Sequence, residues 1–228
     1  MIQIEGVSKR YGDREVLSDI SLSLAEDRIG VIGANGSGKS TLARLLNGLV
    51  VPTTGRVLVD GLDTAHDGAG VRRKVAFVFS DPDAQIVMPT VAEDVAFSLR
   101  RHGLSKPEVA DRVRDILARF GLGDHLDHPA HLLSSGQKQL LALASVLVTE
   151  PEILICDEPT TLLDLRHSRQ VAGVLEGLAQ RVVLVTHDLA LLRGWARVLV
   201  IEHGRVVADG SAEASIGHYE ALMARQPC

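Results

Sequence analysis

The chain has 228 residues, 46% of them apolar and 3% aromatic, with a net charge of −5. This length suits one compact domain with a buried core, and scattered lysines and arginines under a mild negative charge exclude a nucleic-acid-binding field. Two cysteines, Cys156 and Cys228, are too few for a disulfide framework, no apolar run reaches the roughly 18 residues of a membrane span, and the start lacks the basic and apolar regions of a signal peptide; a cytoplasmic protein is expected.

Ile2 and Ile4, then Ile20, Leu22 and Leu24, alternate with polar residues as half-buried strands do, and Tyr11-Gly12-Asp13 between them reads as a turn. Ile29-Gly30-Val31-Ile32 is a short apolar run that leads into Gly33-Ala34-Asn35-Gly36-Ser37-Gly38-Lys39-Ser40. A helical period follows, with Leu42, Leu45, Leu46 and Leu49 on one face. Strand, glycine-rich turn and helix is the context that the phosphate-loop pattern G-x-x-x-x-G-K-[ST] requires. Glycines at 33, 36 and 38 let successive N–H groups turn inward as an anion nest, and a helix starting near Lys39 adds the positive end of its dipole. Lys39 is expected to reach the outer phosphates of a nucleoside triphosphate, and the Ser40 hydroxyl to hold Mg²⁺.

Val57-Leu58-Val59 with Asp60-Gly61 predicts a strand and its hairpin turn, and Val75 to Phe79 a strand covered on both faces. From about 90 to 150 the period is helical. Ser105-Lys106-Pro107-Glu108 has capping-box spacing, Val109, Val113, Ile116, Leu117 and Phe120 form a stripe, and Gly121 closes that helix. A second helix is expected over 136–149. After Pro151, strands at 153–156, 182–185 and 198–201 alternate with a helix marked by Val171, Val174, Leu175 and Leu178 and a short one over 189–195. This order implies an α/β fold with a largely parallel sheet, crossover helices and a helical subdomain inserted at about 88–150 of a single domain spanning 1–228.

Ile153 to Cys156 runs into Asp157 and Glu158. At the carboxyl edge of a parallel sheet such an Asp lies beside the phosphate loop, where it can hold Mg²⁺, and Glu158 is placed to orient or deprotonate a water. His187, at the end of the 182–185 strand, is expected to face the γ-phosphate from the same edge. His125, His128 and His131 recur every three residues, but Pro129 disrupts any helix there, no Cys or paired acids accompany them, and a solvated loop is the expectation. Leu133-Ser134-Ser135-Gly136-Gln137 precedes the second helix and is either a phosphate-binding helix start or a simple N-cap.

That last loop resembles the signature motif of ABC-type ATPases, and the other motifs then fall in family order along the whole chain. The resemblance implies a P-loop, RecA-like core, an N-terminal antiparallel β-subdomain and the inserted helical one. It identifies 33–40 with Thr41 as Walker A, Asp157 and Glu158 as the Walker B aspartate and catalytic glutamate, Asp164 as the D-loop, His187 as the H-loop histidine and Tyr11 as the adenine-stacking aromatic. It implies two such domains, head to tail, with ATP and Mg²⁺ between Walker A of one and Ser134, Ser135, Gly136 and Gln137 of the other. Two departures stand out. Ser135 replaces the usual glycine but keeps the backbone donor, and Ser80 occupies the usual place of the Q-loop glutamine, so that job falls to Gln85 or to Ser80. Asp81-Pro82-Asp83-Ala84-Gln85 resembles the Asn-Pro-Asp-x-Gln segment of ATPases in energy-coupling-factor importers.

Only about 18 residues follow Gly210, and this compactness, with Ser80 and Ser135, resembles the ATPase of the biotin importers; nickel and cobalt importers are the alternative. The implied partners are a second copy or close paralogue, a transmembrane coupling protein and a substrate-binding membrane subunit, met at the cytoplasmic face of the membrane, and no nucleic acid. A soluble ABC protein of translation or DNA repair is the reading from another class, and the chain has neither the fused second domain nor the long coiled coil of those proteins. A P-loop GTPase would need an Asn-Lys-x-Asp motif that is not there.

Overall fold

The computed structural model describes residues 1–225, so Cys228 lies outside the described residues. In chain order the elements are β1 (Ile2–Tyr11), β2 (Arg14–Leu24), β3 (Arg28–Ile32), α1 (Lys39–Leu46), β4 (Thr54–Val59), β5 (Leu62–Asp63), α2 (Gly68–Lys74), β6 (Val75–Val78) and α3 (Val91–Ser98). There follow α4 (Lys106–Arg119), α5 (Ser135–Leu147), β7 (Ile153–Asp157), α6 (Leu165–Glu176), β8 (Arg181–Val185), β9 (Arg197–Glu202), β10 (Arg205–Gly210) and α7 (Ala212–Met223). They form two compact units. The first holds residues 1–75, 153–158 and the described residues from Ala179 on; the second holds 76–152 and 159–178.

The first unit has two sheets. In one, β2, β1, β4 and β5 run antiparallel in that order. Val59 pairs with Leu62 across Asp60-Gly61, both at positive φ (47° and 82°), the two-residue turn whose twist suits a hairpin. In the other, β9, β3, β8 and β7 are parallel and β10 is antiparallel to β9. Parallel strands are covered on both faces and so are apolar almost throughout; Ile153 to Asp157 and Val182 to Val185 are buried at every position. Register decides what this sheet presents. Val31 and Asp157 both pair with Val185, and Ile32 pairs with Val200, so β3, β7 and β8 end level. The residues that follow them, Gly33, Glu158 and Thr186-His187, therefore leave the sheet along one edge.

The second unit is built from α3, α4, α5 and α6. Ser105 starts α4 as expected: its N–H and hydroxyl both donate to the Glu108 carboxylate, at 2.7 and 2.6 Å. Val113, Leu117 and Phe120 are buried, and Gly121 takes φ +72° just past the helix end. Buried among the helices, Asp94 accepts from the N–H groups of Val87 and Met88 through Oδ1 and from the Ser145 hydroxyl through Oδ2.

Some expectations need correction. The first helix ends at Leu46, and Leu49 lies beyond it, 44% exposed, because Gly48 takes φ +71° and turns the chain. The short helix expected over 189–195 is a 3₁₀ turn of Leu189–Leu192 only, capped by the Asp188 carboxylate on the Ala190 N–H. Helices α2, α3 and α7 and strand β10 have no counterpart among the individual elements read from the sequence. The α3 start was legible: Thr90-x-x-Glu93 has the same capping-box spacing as Ser105-x-x-Glu108.

Asp94→Ala leaves two backbone donors and a buried hydroxyl without their acceptor. Urea unfolding is expected to show a loss of about 2–4 kcal/mol, against about 1 kcal/mol for Ser145→Ala.

Candidate nucleotide-binding site

The loop after β3 is shaped by three glycines that no other residue could replace without strain. Gly33 (φ +149°) passes so close to the Ile201 carbonyl oxygen that a Cβ would overlap it. Gly36 takes φ +77°, and Gly38 takes φ +112° with a would-be Cβ 2.6 Å from the Leu17 Cδ2 and 2.8 Å from the Val16 carbonyl oxygen. The start of β2 thus lies against the loop. Gly204 N–H donates to the Ser37 carbonyl, tethering the loop from the other side. Asn35 and Gly36 form its exposed crown, while Ser37 is buried with its Oγ unpartnered among the described residues.

Lys39 opens α1 with its ammonium buried, donating to the carbonyls of Gly33 (2.8 Å) and Ala34 (3.0 Å). Burial lowers its pKa, and the carboxylates of Glu158 and Asp157 push it back up. The Ser40 hydroxyl donates to Asp157 Oδ1 at 2.8 Å. Thr41 is half-buried beside it. Burial raises the Asp157 pKa, while the Ser40 hydroxyl and the Arg44 guanidinium, 3.8 Å away, oppose that rise. Arg44 was missed at the sequence level, although its place four residues after Ser40 on the same helix puts it on the same face.

Glu158 follows β7 in the left-handed region (φ +54°), a conformation unusual for a residue with a side chain. Its N–H donates to the Val185 carbonyl, and its Oε2 lies 2.6 Å from His187 Nδ1. One edge of the parallel sheet therefore gathers Gly33, Lys39, Ser40, Asp157, Glu158 and His187. Tyr11 ends β1 opposite Arg14, 48% exposed, with the Lys9 ammonium 4.9 Å from its ring centroid.

The remaining candidates belong to the second unit. Ser134 caps α5: its Oγ accepts from Gln137 N–H at 3.3 Å while Gln137 Oε1 accepts from Ser134 N–H at 3.0 Å. Ser135 is exposed and Gly136 buried. Asp164 caps α6 by accepting from the His167 N–H. Gln85 is used at both ends: Oε1 accepts from Phe79 N–H at 3.1 Å and Nε2 donates to the Ala142 carbonyl of α5 at 3.0 Å. Nearby, Lys138 donates to Asp83 at 2.7 Å, and Ser80 is exposed. The histidine loop is not simply solvated: His125 is half-buried, 3.3 Å from the Gln137 amide and edge-on to His128. Among the described residues no cluster of His, Cys, Asp or Glu has the makings of a metal site of its own.

A phosphate loop whose lysine, serine and facing acids converge at a parallel sheet edge defines a P-loop nucleoside triphosphatase. The chain belongs to the ABC transporter family, whose model matches residues 17–161, and it is an ATP-binding subunit of the hydrolysing kind. It is 48% identical to the biotin transport ATP-binding protein BioM of Rhizobium etli, over 98% of this chain and 99% of that one. With the energy-coupling factor transporter ATP-binding protein EcfA1 of Halalkalibacterium halodurans it shares 37% identity over 97% of this chain and 82% of the other. The solved structure of CbiO1 from Clostridium perfringens, described as part of the ABC transporter complex cbiONQ, superposes with a TM-score of 0.84 at 32% identity, covering 98% and 93% of the two chains.

Because Asp157 holds its proton more tightly folded than unfolded, its ionisation costs stability above its raised folded pKa, and that cost vanishes as pH falls below the ordinary carboxyl value of 3.8. Without nucleotide or metal, Asp157→Asn is expected to have a higher urea midpoint than wild type at pH 7.5, the gap closing towards acid pH.

Proposed function

We propose that this chain is the ATP-hydrolysing subunit of a membrane importer of the energy-coupling-factor type, working as a head-to-tail pair with a second copy or close paralogue, with biotin as cargo. The observation that carries the reading is the 2.8 Å Ser40–Asp157 contact at the sheet edge beside Lys39 and the Glu158–His187 pair. The names of BioM and EcfA1 support the importer class and BioM the cargo. Asp81-Pro82-Asp83-Ala84-Gln85 supports the same class. No helix among the described residues is long and apolar enough to cross a membrane. The reading places the chain peripherally, at the cytoplasmic face, on a coupling protein and a substrate-binding membrane subunit. The whole chain is one ATPase domain in this reading, its helical unit an insert.

The loop N–H groups and Lys39 would bind the triphosphate, with the Lys39 ammonium turning from the Gly33 and Ala34 carbonyls to the outer phosphates. Tyr11 would stack on the base. Ser40 and Asp157 fit Mg²⁺, being hard oxygen donors within one contact of each other; the ion when bound would neutralise phosphate charge. Glu158 Oε2 would accept the proton of the attacking water, and His187, hydrogen-bonded to that carboxylate, would orient it and help hold the γ-phosphate. Ser134, Ser135, Gly136 and Gln137 would close on the nucleotide of the partner copy, with Asp164 beside them. Gln85, engaged at both ends, acts here as a brace for α5; neither it nor Ser80 is assigned to the metal.

Glu158→Gln keeps the shape and removes the base. Turnover is expected to fall by about 10²-fold or more, with ATP retained and the dimer accumulating in sedimentation; turnover near wild type would remove Glu158 from the role. The transport reading is tested by solubilising native membranes with the chain tagged. Two small membrane proteins with bound biotin are expected to co-purify; a different bound micronutrient would change the cargo alone, and a chain that stays soluble without them would end the importer reading.

A further inference from the structure

Gly136 is buried, and what covers it is a side chain of the second unit. A Cβ built there would overlap the Cγ and Cδ2 of His167 and come within 2.8 Å of its Nε2. The imidazole is itself held. Asp164 Oδ1 accepts from the His167 N–H at 2.9 Å and lies 2.9 Å from Nδ1, so one carboxylate oxygen caps α6 and fixes the ring's rotation. The Asp164 pKa lies below the usual carboxylate value, chiefly through that backbone bond, so the carboxylate is suited to accept at Nδ1, and the face of the ring over Cγ and Cδ2 is turned to Gly136. The His167 side chain is half-buried, 30% exposed.

We propose that His167 is a positioning residue for hydrolysis: oriented by Asp164, its imidazole is the seat that sets Gly136 and, through it, the first turn of α5. This rests on the reading that the α5 start closes on the partner copy's nucleotide. The N–H groups of Ser135 and Gly136 fall among those a helix start leaves without intrahelical acceptors, so their direction is decided by what packs behind them. A shift of about 1 Å in such donors is enough to cost on the order of 10²-fold in rate. Only glycine fits over the ring face, because a Cβ would strike its Cγ–Cδ2 bond.

The test is a mutant cycle in the full chain, assembled with its membrane partners. His167→Ala is expected to lower kcat about tenfold or more, while binding of a fluorescent ADP analogue to the isolated subunit and the thermal midpoint stay at wild-type values. His167→Asn, which keeps planar atoms near Nδ1 and Cδ2, is expected to restore most of the rate. Gly136→Ala is expected to be severe alone and to add little in the His167→Ala background, where the collision is gone. Wild-type turnover in His167→Ala, or an equal Gly136→Ala penalty in both backgrounds, would overturn the proposal. Failure of the pairing reading would show differently, as absence of ATP-driven dimers in Glu158→Gln with His167 intact, and would overturn this inference with it.

Discussion

Ser40 and Asp157 meet at 2.8 Å although 117 positions separate them along the chain. Nothing local to either residue produces that contact. It depends on β3 and β7 both being bonded in parallel to β8, in a register that ends the three strands level. A one-residue slip of β7 would turn its side chains to the opposite face and carry Asp157 away from the loop. Apolar burial on both faces of these strands is what makes such a slip expensive, since every second residue has a matched environment to lose. The chemistry at the edge is thus only as well placed as the core behind it is well packed.

The same edge concentrates features that work against stability. Asp157 is buried with its ionised form disfavoured, Lys39 is buried with its charged form disfavoured, and Glu158 sits at positive φ. Each is tolerated because it is tied: Asp157 to Ser40 and Arg44, Lys39 to two carbonyls, Glu158 to Val185 and His187. Strain and buried charge of this kind cluster where a protein must present charge to a ligand. The ties hold these groups at the one sheet edge.

In the second unit the arrangement is of another kind. Side chains from distant segments brace α5: Gln85 on Ala142 at mid-helix, and Asp83 on Lys138, His125 against Gln137 and His167 behind Gly136 at its first turns. They hold the helix in place along its first two turns and at Ala142.

Sequence alone determined the phosphate loop and its lysine, because glycine spacing with an adjoining strand and helix is a local pattern with a local cause. It also determined the largely parallel sheet, since short apolar strands alternating with helical periods have few other arrangements. Short or weakly patterned elements were not legible: β10 alternates between half-buried and exposed positions, and the shortened 3₁₀ turn at 189–192 was masked by an apolar period that continues to Trp195. Tertiary structure alone decided which side chains meet across long separations. Gln85 on Ala142 and His167 over Gly136 are products of packing, and no spacing rule along a chain encodes a contact whose two halves are brought together only by the fold.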